Sequence, residues 1–108
     1  MTRGCASREL LRHYVFLKYR EGTDDGHIAA FRERMLALRG SIAEILHLTI
    51  GRDELHDARS WDLILIMEFS SVDALRAYQR HPAHRAAMAF NDPFVADVAS
   101  VDFTTVVA

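Results

Sequence analysis

A chain of 108 residues has the length of one domain and too little material for two independent cores. Half of it is hydrophobic and 26% is charged, an ordinary globular composition that sets aside disordered and fibrous classes. A net charge of -2 offers no basic surface for nucleic acid, and neither the longest unbroken apolar run, Leu63–Met67, nor any basic amphipathic helix suits a membrane.

The polar leader at residues 1–10 carries Cys5, the single cysteine, which can form no internal disulfide. With no apolar stretch of signal-peptide type in the leader, the expected location is cytoplasmic, and the expected domain spans residues 11–108. Leu11 to Arg20 is rich in β-branched and aromatic residues and too short for a helix, so it is the first predicted strand. Glu21-Gly22-Thr23-Asp24 supplies a turn, and Thr23 or Asp24 caps the helix that follows. Ile28, Phe31, Met35, Leu38 and Ile42 draw one apolar stripe along that helix, with Gly40 marking its end.

Leu46, Leu48 and Ile50 alternate with His47, Thr49 and Gly51 to predict a second strand, followed by a charged loop over Arg52–Ser60. Trp61–Phe69 is the third strand. Ser70 or Ser71 then caps a short helix through Leu75 and Tyr78. His81-Pro82 breaks the chain and starts another helix through Met88 and Phe90, which re-forms after Pro93. Ser100–Val107 is the last strand. The order predicts an α+β, ferredoxin-like β-α-β-β-α(α)-β fold with helices on one face of a four-stranded antiparallel sheet.

The strands also predict a partner. Trp61, Leu63, Leu65, Met67 and Phe69 share one face, yet Ile64 and Ile66 are apolar on the other; Tyr14 and Phe16 repeat this opposite Val15 and Leu17. Helices cover one face only. A second apolar face of several hundred Å² calls for a cover, and the same face of a second copy suits it best, giving a homodimer.

Leu11–Tyr19 (LRHYVFLKY), Ile50-Gly51-Arg52-Asp53, Trp61-Asp62-Leu63, Glu68-Phe69, Ala77–His84 (AYQRHPAH) and Val101-Asp102-Phe103 together resemble the stress-responsive A/B barrel (Dabb) family. The resemblance runs from Leu11 to Val106 and implies the ferredoxin-like fold, with a dimer whose sheets close into a barrel. The family includes proteins of plant stress or defence, many bacterial members without assigned activity, and a polyketide cyclase that performs aldol condensation without metal or organic cofactor. By that resemblance His84 matches the cyclase's base and Tyr78 its assisting tyrosine, while His13 matches a histidine lining the cleft. Two polar cyclase positions are lost here, one to Leu63 and one to Met35.

The same residues can be weighed on chemistry alone. An imidazole titrates near neutrality and can take a proton from an acidic carbon, and a neighbouring phenol can orient it or hold an enolate oxygen. The alternative is structural: Tyr78 packs under the helix while His84 bonds a backbone carbonyl. If His13 faces the helices, it joins Tyr78 and His84 in a cleft walled by Val15, Leu17, Phe31, Met35, Leu65, Ala87, Phe90 and Val98. His81 and His84, three apart, invite a metal, but no cysteine or placed carboxylate completes a ligand set, and none is expected. Phosphate-loop, Cys-x-x-Cys and Gly-x-Ser-x-Gly patterns are lacking. Three functions stay open: a dimer binding a small apolar or aromatic metabolite, a cofactor-free cyclase or monooxygenase, and a ligand-free structural dimer.

Overall fold

The computed structural model describes residues 8–107. Strand β1 (Arg8–Tyr19) leads into helix α1 (Asp25–Ser41), then strands β2 (His47–Arg52) and β3 (Leu63–Phe69). Helices α2 (Val72–Arg80) and α3 (Pro82–Asn91) follow, with a 3-10 turn at Asp92–Phe94 and strand β4 (Val95–Val107). The sheet order is β2-β3-β1-β4 and all three pairings are antiparallel, which is the ferredoxin-like arrangement the sequence predicts.

Local chemistry sets the helix starts. The Asp24 carboxylate accepts from the Gly26 amide at α1, and the Ser71 hydroxyl from the Ala74 amide at α2. At α3 the His81 imidazole does the same for Ala83, while Pro82 occupies the first turn where its missing N–H costs nothing. Helix α1 passes through Gly40 to Ser41, one residue beyond the expected stop, and ends where Ile42 turns extended with its N–H still bonded to Leu38. The left-handed glycine is instead Gly22, in the β1–α1 turn, at φ 85°.

Several strand boundaries differ from expectation, because each strand begins and ends where its pairing does, which local composition cannot reveal. β1 begins at Arg8, since Arg8, Glu9 and Leu10 pair with Val107, Val106 and Thr105; Leu10 is buried. These residues belong to the sheet and not to the leader; residues 1–7, Cys5 among them, lie outside the described residues. β4 begins at Val95 rather than Ser100, because β1 extends far enough to pair with it, through a register shift at Lys18/Tyr19. β3 starts at Leu63, leaving Trp61 and Asp62 outside it. Asp62 still docks this segment: its carboxylate accepts from the Tyr19 amide at 2.7 Å and its own N–H bonds Leu17 O at 2.9 Å.

The pairing register sorts the side chains. Leu11, His13, Val15 and Leu17 lie opposite Phe69, Met67, Leu65 and Leu63, and this face packs beneath the helices. Phe31, Met35, Leu75, Tyr78 and Ala87 close the core from above, each almost fully buried. On the other face Tyr14 and Phe16 lie opposite Ile66 and Ile64. There Tyr14 and Phe103 have ring centroids 5.5 Å apart, and Phe16 and Trp61 6.2 Å. Val101 and Phe103 remain 54% and 41% exposed on this face, which no helix of the chain covers. A hollow of about 270 Å³ opens at its β2 side, lined by Phe16, Gly51, Arg52, Asp53, Trp61, Leu63 and Ile64. Among the described residues no helix is long and apolar enough to cross a membrane.

Candidate functional site

Between the helices and the sheet lies a cavity of about 80 Å³, lined by residues from every layer. β1 contributes His13, Val15 and Leu17, and β3 contributes Leu65. Phe31 comes from α1, Tyr78 from α2, and His84, Met88 and Asn91 from α3; Asp92 and Val98 stand at the β4 side. Strand alternation puts His13 here: two-residue spacing carries it to the same face as Val15 and Leu17. The break at His81-Pro82 puts His84 here, since it sets the first turn of α3 against the last turn of α2.

Eight of the eleven residues expected at the site therefore meet in one cavity: His13, Val15, Leu17, Phe31, Leu65, Tyr78, His84 and Val98. Three do not. Met35 and Ala87 are buried core residues of their helices and do not line it. Phe90 turns away from it, stacking on His27 at 4.6 Å with the Arg34 guanidinium 4.0 Å over its ring. The helical stripe places all three on an inward side, but the cavity occupies only part of what α1 and α3 cover.

The polar groups are held firmly. His84 donates from Nδ1 to the Gln79 carbonyl at 3.1 Å, a partner that can only accept, so Nδ1 carries the proton. A neutral His84 therefore has its lone pair at Nε2. Burial pushes the imidazole pKa below its ordinary value, opposed by the Gln79 bond and by Asp92, and aided by nearby His13. The neutral, proton-accepting form thus prevails at pH 7. The Tyr78 ring lies tilted against His84, with centroids 4.4 Å apart, and meets His13 edge-on at 6.5 Å. It is 1% exposed, and burial raises its phenol far above the ordinary range, so it is a neutral O–H.

Two site residues escape sequence reasoning. Asp102 lies directly across from His13 in the β1–β4 register, and its carboxylate accepts from His13 Nδ1, again leaving Nε2 unpaired among the described residues. The signal was present in Val101-Asp102-Phe103, but pairing it with His13 requires the strand register. Asn91 is 1% exposed, and its Oδ1 accepts from the Tyr19 hydroxyl at 2.8 Å and from His27 Nε2 at 3.0 Å. An asparagine two residues before a proline reads as a helix end, which hides this role. Among the described residues no group of three or more His, Cys, Asp or Glu is arranged to hold a metal ion.

The model of the Stress responsive A/B Barrel Domain, Dabb, matches residues 11–105. This chain belongs to the Dabb family. Among proteins of curated function, none matches the Dabb chain by sequence. A dimeric ferredoxin-like protein of unknown function from Thermobifida fusca is 26% identical, with a TM-score of 0.82 over 91% of this chain and 92% of its own. A dimeric ferredoxin-like protein of unknown function from Bacteroides fragilis is 25% identical, with a TM-score of 0.80 over 89% and 96%. Hydroxynitrile lyase from Passiflora edulis shares the fold at 16% identity, with a TM-score of 0.80 over 89% and 93%. The Dabb fold therefore serves at least one enzyme, and the site must argue this chain's own chemistry.

Proposed function

We propose that this Dabb protein is a homodimer that binds a small, mostly apolar molecule in the helix–sheet cavity. The observation carrying this reading is the convergence of two imidazoles and a phenol on one otherwise apolar cavity. Small-molecule sites have that make-up, though usually at 300 Å³ or more. About 80 Å³ is the liquid volume of about three waters, so the ligand is a compact one of few non-hydrogen atoms or the cavity widens around it. Dimerisation is supported by the uncovered aromatic and aliphatic face of the sheet and by relatives described as dimeric. A thermal-shift screen of small carbonyl, phenolic and acyl compounds tests the binding. A ligand at 100 times its Kd adds about 2.7 kcal/mol and raises the Tm by roughly ten degrees. No shift from any compound, in a protein that melts cooperatively, contradicts the reading.

One observation favours a second step, cofactor-free proton transfer. His84 is neutral and has its Nδ1 held by a carbonyl, which leaves Nε2 free as a base, in a side chain whose ring lies against that of Tyr78. Loss of deuterium from a labelled small ketone in water, followed by NMR, reads this directly. His84→Ala should slow such exchange about a hundredfold or more while ligand binding survives. An unchanged rate would remove His84 as the base.

A further inference from the structure

The cavity has a hydrogen-bond donor that none of the roles above uses. Asn91 Oδ1 accepts two bonds, from the Tyr19 hydroxyl at 2.8 Å and from His27 Nε2 at 3.0 Å, and so both its lone pairs are engaged. Tyr19 is dependable in this role because burial raises its phenol to about 12, which keeps the O–H protonated. His27 is fixed between the rings of Phe90 and Phe94, with centroids at 4.6 and 3.8 Å. Neither Tyr19 nor His27 lines the cavity, whereas Asn91 does. The oxygen thus turns away from the cavity toward those two donors, and the amide nitrogen is left on the cavity side. Asn91 is 1% exposed, and no acceptor among the described residues is bonded to that nitrogen.

We infer that the Asn91 side-chain amide is the polar anchor of the cavity, donating to an acceptor oxygen of the ligand and so selecting a small carbonyl compound over an apolar molecule of the same shape. The inference rests on the cavity being the ligand site. An amide nitrogen that bonds no group of the protein can bond the ligand, so an oxygen-bearing ligand gains a bond that its hydrocarbon counterpart forfeits. The donor comes from α3, and the unpaired Nε2 of His84 belongs to the same helix. An anchored carbonyl oxygen on one side of the cavity would leave the neighbouring carbon–hydrogen bonds to the imidazole.

The experiment compares cyclobutanone with methylenecyclobutane, in which the carbonyl oxygen becomes a methylene group. Binding to the full chain is measured by two-dimensional NMR, following the side-chain amide resonances of Asn91. Cyclobutanone should bind roughly tenfold more tightly than the hydrocarbon and shift the Asn91 amide protons. Asn91→Asp keeps an oxygen for Tyr19 and His27 but removes the donor, and should abolish the tenfold preference while the hydrocarbon binds as before. Equal affinity of the two probes for the wild type, or an unmoved Asn91 amide at saturation, overturns the anchor and leaves the cavity as the ligand site. Binding of neither probe overturns the anchor and the cavity reading together. Should Asn91→Asp fail to fold, the wild-type preference and the amide shift still decide.

Discussion

Both imidazoles at the cavity have their Nδ1 committed, His84 to a backbone carbonyl and His13 to Asp102. The two anchors differ in kind, and substitutions separate them. Asp102→Ala strands the buried His13 N–H and should lower stability by about 1–3 kcal/mol, read from urea denaturation. His84 gives a pH dependence with a definite sign. Its folded pKa lies below the ordinary 6.5, so on acidification the unfolded chain takes up the proton first. Stability is unaffected by this group above that value and is lost as pH falls from 6.5 toward the folded pKa. His84→Gln should flatten that part of the urea-midpoint profile; a profile identical to wild type would contradict the desolvated histidine. The proximity of Tyr78 and His84 was approachable from sequence because a proline break brings nearby residues together. Asp102 and Asn91 were not, since their partners His13 and Tyr19 lie 89 and 72 positions away.

At the scale of elements, capping and periodicity made most of the fold legible. The stripe Ile28, Phe31, Met35 and Leu38 is the buried face of α1, and alternation in β3 is reproduced residue by residue. Strand ends were less legible, because β1 and β4 extend as far as each finds a partner and not as far as composition suggests. The caps themselves are testable. The Ser71 hydroxyl bonds the Ala74 amide at 3.1 Å, and Ser71→Ala should cost about 1 kcal/mol. That loss should appear as a lower urea midpoint with unchanged slope, since the surface exposed on unfolding hardly changes.

For the whole molecule, the apolar residues divide between two jobs. The face bearing Leu17, Leu65 and Met67 builds the core and the cavity wall, while the face bearing Tyr14, Ile64 and Ile66 is free for a second copy. Ile66→Lys puts a charge on that second face, opposite Tyr14 and Thr49, without touching the cavity lining. It should shift the protein toward monomer in sedimentation velocity, because a desolvated unpaired charge opposes association. A dimer as tight as wild type would place the interface elsewhere.

Ligand uptake in the small helix–sheet cavity can be tested by filling that cavity. Val15→Phe is its most direct test: Val15 lines the cavity from β1, is partly buried, and has no polar role. The larger ring should fill much of the 80 Å³ while leaving the open face of the sheet untouched. Compounds that stabilise the wild-type dimer should lose their effect on a folded, dimeric Val15→Phe protein. Compounds that stabilise both proteins equally would contradict uptake there, since their site would then lie outside the cavity.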